Sequence, residues 1–582
     1  MISDDLETGD MSSLATSQFP EPTTIPWAPE TEDLPVSGYA LVEVRTDGSF
    51  GRARLLPDAV PPGEVTAVRM ALAHGAWSEV ATTLVRSHAV VRLLAGTAEP
   101  IVRAAAEIDA VSAEEPVLRA ALAVCRGDGE SAVAALARIG STEGVSGPAA
   151  HRLGIACTRL AQARLRGDVT AGTAHESRAR LLMNQLPVAV LAELPELPVL
   201  LDAHLGSLQL LSGGLQEAAH TLARGAAASG VPDECAARAD CEGQLALLEA
   251  FRGNLRRAVV HADRVLELAG DAGRAGVTHA HLAHAWVHLE GDELEQAHER
   301  LELAGVVPGG DWEPWLVASS LLVRARLLAA EGEPEASLRL LAEATGATWA
   351  AGNAEWFQDL LAVDSAEFLI AAGEPQRALA LVTPLPPRAA SGSSVLAAVA
   401  RWDIGDMRGA RAVLGTVVPA LLGAPVGLQI RSWLLEARLA QDHGDGERAR
   451  ILVDRALRVG SAEGLRRPFA HDWAWLSGYL ARDVGLMRVH RGFVASFPPW
   501  RSRQPLVRAA AVSADAGVVG TLTEREGEVL ELLAQMYSTE EIASALFVSP
   551  NTVKTHLKGI FGKLCVSRRV DAVRRGRDLG LC

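Results

Sequence analysis

A glycine followed five residues later by alanine or another small residue recurs at nearly fixed intervals along this 582-residue chain. It is seen in GGLQEA at Gly213, GNLRRA at Gly253, GEPEAS at Gly332, GEPQRA at Gly373, GDMRGA at Gly405 and GDGERA at Gly444, and GDELEQA at Gly291 fits with one residue added. Successive glycines lie 40, 38, 41, 41, 32 and 39 residues apart, and GDGESA at Gly127 joins two periods upstream. A period of this size allows few folds. One helix pair cannot bury its own apolar face, so such units must stack into a solenoid.

Each unit has a direct physical reading. A helix ends at the glycine, which can take the left-handed conformation that stops it, and an acidic residue or proline opens the next helix. The small residue after the turn lets the paired helix approach closely. In GNLRRAVVHADRVLELAG, Leu255, Ala258, Val259, Ala262, Val265 and Leu266 fall on one face at helical spacing. Aromatic residues make up only 4% of the chain and Ala and Leu dominate, which favours close-packed helices over sheets. The expected fold class is all-α, with repeats over residues 63–500.

Residues 1–38 carry eight acidic and no basic side chains, and read as a disordered segment without a secretory signal. YALVEVRTDGSFGRARLL, from Tyr39, alternates around Thr-Asp-Gly-Ser and reads as a β-hairpin within 39–62. The most apolar stretch, from Leu186 to Leu211, is broken by Glu193, Pro195, Glu196, Pro198 and Asp202, which excludes a plain membrane span. Six dispersed cysteines with no CxxC pair fit reduced thiols in a cytoplasmic protein. Residues 501–520, rich in Ser, Ala and Gly, read as a linker.

The net charge of −16 argues against a general polyanion binder, yet the charge is uneven. Residues 549–582 hold eight Lys or Arg and two acidic residues, a balance of +6, whereas 521–548 hold one Arg and six Glu, a balance of −5. All three lysines of the chain, Lys554, Lys558 and Lys563, lie within the basic end. Arginine supplies every other permanent positive charge.

That end has its own pattern. TLTEREGEVLELLAQ and STEEIASALF each open with a capping box, Thr523 with Glu526 and Ser538 with Glu541. Val529, Leu532 and Leu533 supply the apolar face of the first helix, and Ile542, Ala543 and Leu546 that of the second. In SPNTVKTHLKGIFGKL, Ser549 is placed to cap and Pro550 to occupy the first helical position. Val553, Leu557, Ile560, Phe561 and Leu564 cluster on one side of this third helix. Asn551, Thr555, Lys558 and Gly562 then point away from the core, with Lys554 on one flank and Thr552 and Lys563 on the other. Two short helices joined by a tight turn, the second rich in Lys and Thr, make a helix-turn-helix. The motif spans Thr539, Glu541, Ile542, Ala543, Leu546, Val548, Val553 and Leu557.

Residues 521–582 closely resemble the LuxR-type DNA-binding domain of bacterial transcription regulators, the run EIASALFVSPNTVKTHLKGIFGKL most specifically. The resemblance implies a small four-helix domain in which Lys554, Thr555 and Lys558 face base edges, with Asn551 also among the DNA-binding residues. It implies that Thr552, Lys563, Arg568 and Arg569 suit backbone phosphates, and that a helix over Ser567 to Leu579 forms a homodimer contact. Met536 and Cys565 stand where the family usually has Gly, and a left-handed backbone there would cost each side chain about 1 kcal/mol. The repeats resemble tetratricopeptide repeats, although their period exceeds the usual length of about 34 residues, and look more like the long-helix repeats of large ATP-dependent LuxR-family activators; a generic α-solenoid is the alternative.

The absence of lysine before Lys554 excludes whole function classes. A P-loop needs the Lys of G-x-x-x-x-G-K-[ST], and a phospho-receiver, a kinase and a Schiff-base enzyme need one too. No enzyme activity and no cofactor are therefore expected. His281, His284 and His288 share a helical face, with His279 and His298 nearby, but such a face is more often polar surface than a metal site. Cys235 and Cys241, and Trp312, Trp315, Trp349 and Trp356, read as packing residues.

The reading is a DNA-binding transcription regulator acting on double-stranded DNA as a homodimer, with the repeats sensing a small-molecule or protein ligand and RNA polymerase as a candidate contact. The alternative is a solenoid scaffold that binds proteins and is tethered to DNA by its C-terminal module.

Overall fold

The computed structural model describes most of residues 71–497 and 523–563, strands at 24–25, 39–44 and 50–56, and the isolated positions 68, 569 and 572–573. It divides into two units, Met1–Ser502 and Arg503–Cys582. The segment 1–38, apart from Thr24–Ile25, and the stretch 501–520 lie outside the described residues.

The first unit is a succession of antiparallel helix pairs. Those in the repeat region are Ala149–Arg166 with Val169–Met183, Glu196–Leu211 with Leu215–Ala226, Ala236–Arg252 with Leu255–Leu268, and Arg274–Glu290 with Leu294–Ala304. There follow Pro314–Glu331 with Pro334–Gly346, Glu355–Ala371 with Pro375–Val382, Ala390–Asp403 with Met407–Val417, and Val426–Asp442 with Gly446–Glu463. Strands Tyr39–Val44 and Phe50–Leu56 pair antiparallel, Tyr39 opposite Leu56, and Thr24–Ile25 adds a third strand on the far edge of Phe50–Leu56. This small sheet is an addition to an otherwise helical chain.

The turns carry the periodicity. At each repeat turn a residue with positive φ is followed by one whose N–H reaches the carbonyl five residues back: Asp168 to Ala163 at 2.9 Å, Gly214 to Gln209 at 2.9 Å, Glu333 to Leu328 at 2.9 Å, Asp445 to Ala440 at 3.0 Å. This bond satisfies a carbonyl that the helix end would otherwise orphan. Where aspartate follows, it also caps the next helix: Asp168 accepts from Ala171 N–H at 2.9 Å and Asp128 from Ser131 N–H at 2.8 Å.

Two features of the repeat escape the sequence pattern. In GDELEQA the left-handed position is held by Asp292 (φ 58°), not Gly291, and Glu293 N–H bonds to His288 O at 2.8 Å. Counted from Asp292 the small residue Ala297 is five positions on, so the unit has no added residue. Asp is among the few residues that tolerate this backbone, and Asp292 is further held by Arg467 at 3.0 Å. A unit also turns at Gly167 (φ 68°), filling the gap between Gly127 and Gly213. It is hidden because its small residue is Gly172 and because the short helix Val188–Ala192 lengthens the interval to 46 residues.

The small residue itself is a packing requirement. Ala132, Ala218, Ala258, Ala297, Ser337, Ala378, Ala410 and Ala449 are all 0% exposed. At Gly172 even one carbon is too many, since a Cβ there would lie 2.3 Å from Leu208 Cδ1. In the helix Leu255–Leu268, Leu255, Ala258, Ala262 and Val265 are buried and Val259 and Leu266 half-buried, as its spacing predicts. The tryptophans pack between units: Trp315 is buried, and Trp356 donates to Leu211 O at 2.5 Å across Gly213. Trp349 lies outside the described residues.

Arginine ties the units together. Arg326 grips Asp364 with two hydrogen bonds at 2.8 and 2.9 Å, and Arg438 reaches Asp472 at 2.5 Å. Arg164 is fully buried between Asp240 and Glu313, hydrogen-bonded to both carboxylates. A planar guanidinium presents several fixed donors to such sites, whereas an ammonium is a point charge.

Two of the three histidines on the shared face lie in internal pairs: His284 with Asp263 at 2.9 Å and His288 with Glu293 at 2.8 Å. Among the described residues no group of three or more ligating side chains could hold a metal ion. Cys157, Cys235 and Cys241 are buried free thiols, and burial raises the pKa of each. No helix among the described residues is long and apolar enough to cross a membrane.

Candidate nucleic-acid interface

Among the described residues of the second unit, three helices are seen in full: Glu524–Ala534, Thr539–Ala545 and Pro550–Lys563. The first two start as their sequences dictate. Thr523 N–H donates to Glu526 at 2.7 Å and Glu526 N–H to Thr523 Oγ1 at 3.3 Å, and Ser538 and Glu541 repeat the exchange at 2.7 and 3.2 Å. Each box satisfies two donors that helix geometry leaves unpaired. The second helix closes with Val548 N–H bonded to Ala543 O at 3.0 Å, and the third opens at once with Ser549 Oγ accepting from Thr552 N–H at 3.2 Å.

The core comprises Val529, Leu530, Leu533, Ile542, Ala543, Val553, Leu557, Ile560 and Ala572, with Leu532, Leu546 and Val548 half-buried around it. Leu530 rather than Leu532 is thus fully inward on the first helix. Because Val553, Leu557 and Ile560 are committed to the core, Lys554 and Thr555 stand exposed on the outer side of the third helix. Asn551 and Lys558 lie on that helix, although their side chains are outside the described residues, as are Phe561, Gly562, Leu564, Cys565, Met536 and Arg568. The fourth helix expected over 567–579 is described only at Arg569, Ala572 and Val573.

Three of the residues expected to contact phosphate have partners inside the unit. Lys563 Nζ sits 2.6 Å from Glu526 Oε2. Arg569 donates to Thr539 Oγ1 at 3.1 Å and to the carbonyl of Tyr537, bracing the start of the second helix. Thr552 Oγ1 lies 2.8 Å from Ser549 Oγ.

Glu526 is a positioning residue that the sequence reading gave only a capping role. Its carboxylate caps the first helix, pairs with Lys563 at the end of the third, and lies so close to the third helix that a Cβ on Gly559 would sit 2.6 Å from Oε1. Burial pushes its pKa up, but the Lys563 ammonium and the Thr523 donors outweigh burial and hold it below the usual range. The signal was present in the sequence as a glycine in mid-helix, whose cost of about 1 kcal/mol needs a reason.

Residues 520–575 match the family model for GerE, bacterial regulatory proteins of the luxR family. The second unit is a luxR-type helix-turn-helix domain. The chain is also 29% identical over 166 residues to the HTH-type transcriptional regulator MalT of Vibrio campbellii and to that of Vibrio parahaemolyticus. In each case the match covers 26% of this chain and spans 18% of the relative's length. Among solved structures, a Rap protein complexed with competence and sporulation factor matches at 10% identity and TM-score 0.42, over 60% of this chain and 97% of its own. The APC/C hetero-tetramer Cut9-Hcn1 matches at 11% identity and TM-score 0.36, over 88% of this chain and 95% of its own.

Proposed function

We propose that this chain, with a luxR-type helix-turn-helix domain at residues 520–575, is a transcription regulator that binds operator DNA as a homodimer and uses its helical repeats as the sensing or partner-binding part. The observation that carries the reading is the orientation of the third helix. Its apolar side is consumed by Val553, Leu557 and Ile560, which leaves Lys554 and Thr555 on the solvent face, as a helix that enters a major groove requires. Asn551 and Lys558 share that helix and are assigned the same role. Thr552, beside the cap, and Arg568 are assigned to backbone phosphate. Lys563 and Arg569 are assigned first to holding the helices in place, since both have partners within the unit.

In an acidic chain, a basic helix face confines phosphate attraction to one end, so electrostatics orients the encounter. Chemistry by the chain itself has no part in this reading, and neither has a cofactor. Selecting fragments from a genomic DNA pool with the full chain, then measuring binding by fluorescence anisotropy, tests it. Thr555→Ala and Lys558→Ala should lose discrimination between selected and scrambled duplexes. Unchanged discrimination in both variants would exclude this face as the reading surface.

A further inference from the structure

The repeat unit holds a cavity of about 430 Å³, within the range of roughly 300–1000 Å³ usual for small-molecule sites. Its rim is exposed and carries Arg103, Glu107 and Arg126; its walls are apolar, with Leu122, Leu200 and Leu316 among them. Its floor is the buried group of Arg164, Asp240 and Glu313, with the half-buried His204 beside it. The rim therefore has two cations and one carboxylate, and the nearest approach of that carboxylate to Arg126 is 4.0 Å.

The floor has a defined polarity. Arg164 commits its donors to Asp240 and Glu313, and its Nη1 also lies 3.5 Å from His204 Nδ1. A guanidinium only donates, so His204 Nδ1 accepts and the proton of the neutral ring sits on Nε2. Burial and the Arg164 charge hold His204 neutral, with its pKa pushed down to about 3. Its Nε2 is buried and has no hydrogen-bond partner in the protein. With Arg164 already matched by two carboxylates, the floor offers no spare positive charge, so an anionic group would be met at Arg103 and Arg126 on the rim.

We propose that this cavity binds an amphipathic organic anion, with its apolar body between the leucine walls and its negative group at Arg103 and Arg126. The site supplies a ligand class for the sensing role assigned to the repeats, while binding itself requires neither DNA nor the helix-turn-helix unit.

The test uses the full chain without DNA and two fluorescent probes of similar shape, the anion 8-anilinonaphthalene-1-sulfonate and the neutral N-phenyl-1-naphthylamine. Saturable binding of the sulfonate with one site per chain is expected. Arg103→Ala combined with Arg126→Ala, both at exposed positions, should weaken the sulfonate at least tenfold and the neutral probe less than twofold. Ala275→Phe, at a half-buried lining residue, should abolish binding of both, with circular dichroism melting confirming that the variant folds. Equal loss of both probes in the arginine variant, or undiminished sulfonate binding in either variant, overturns the proposal. DNA binding by the same preparations reports separately on the regulator reading, so the two can fail independently.

Discussion

The ammonium of Lys563, at the end of the third helix of the C-terminal unit, lies 2.6 Å from Oε2 of Glu526, the residue that caps the first helix. One carboxylate thus satisfies the open start of the first helix and ties that helix to the end of the third. Removing its charge should act on both. Glu526→Gln is expected to destabilise residues 503–582 by about 1–2 kcal/mol, from the lost charge-assisted bonds. Because the folded-state pKa of Glu526 lies below its unfolded value, its contribution is complete above roughly pH 4–5 and is lost as pH falls through the lowered folded value. Urea denaturation followed by circular dichroism should therefore show a shallower acid decline in the Gln variant, and an identical decline would remove Glu526 from this role.

The two lysines nearest the ends of the reading face should behave differently. Lys554 is exposed on the base-reading face, so Lys554→Ala should reduce the slope of log affinity against log salt by about 1, the counterion release of one cation entering the groove. Lys563 is held by Glu526, so Lys563→Ala should change the slope by less than half of that and lower the melting temperature instead. Anisotropy titrations at several salt concentrations separate the two outcomes.

Arg164 neutralises two buried carboxylates that belong to different repeat units, Asp240 and Glu313. Arg164→Met keeps much of the volume but leaves that charge uncompensated, at a cost of about 3–5 kcal/mol to the repeat unit. Lowering the pH should recover part of the loss, since protonating the stranded carboxylates removes the repulsion. Guanidinium denaturation of the full chain at pH 7 and pH 5 measures both effects.

Asp292 is the test of the left-handed turn. Asp292→Gly and Asp292→Ala both lose the pairing with Arg467, but only glycine enters φ near 58° without steric cost. The Ala variant should be the less stable by about 1 kcal/mol. Equal stabilities would mean that the turn relaxes in one of them.

The sequence by itself determined the helical class, the turn of nearly every repeat, the small residue behind each turn and the start of the three described helices of the C-terminal unit. These are local matters: one glycine decides a left-handed turn, one Thr-x-x-Glu decides a cap, and helical spacing decides which side chains face inward. Val553 and Leu557 were readable as core, and Lys554 and Thr555 as surface, from the spacing alone. The tertiary structure decided what depends on residues far apart in the chain. Asp292 could stand in for glycine because Arg467 holds it, 175 positions away. Lys563, which a helical wheel places at the edge of the exposed face, turns to Glu526, 37 positions away. Arg164, Asp240 and Glu313 carry no mark in the sequence that would bring them together, because the stacking of successive helix pairs sets their meeting and no local preference does.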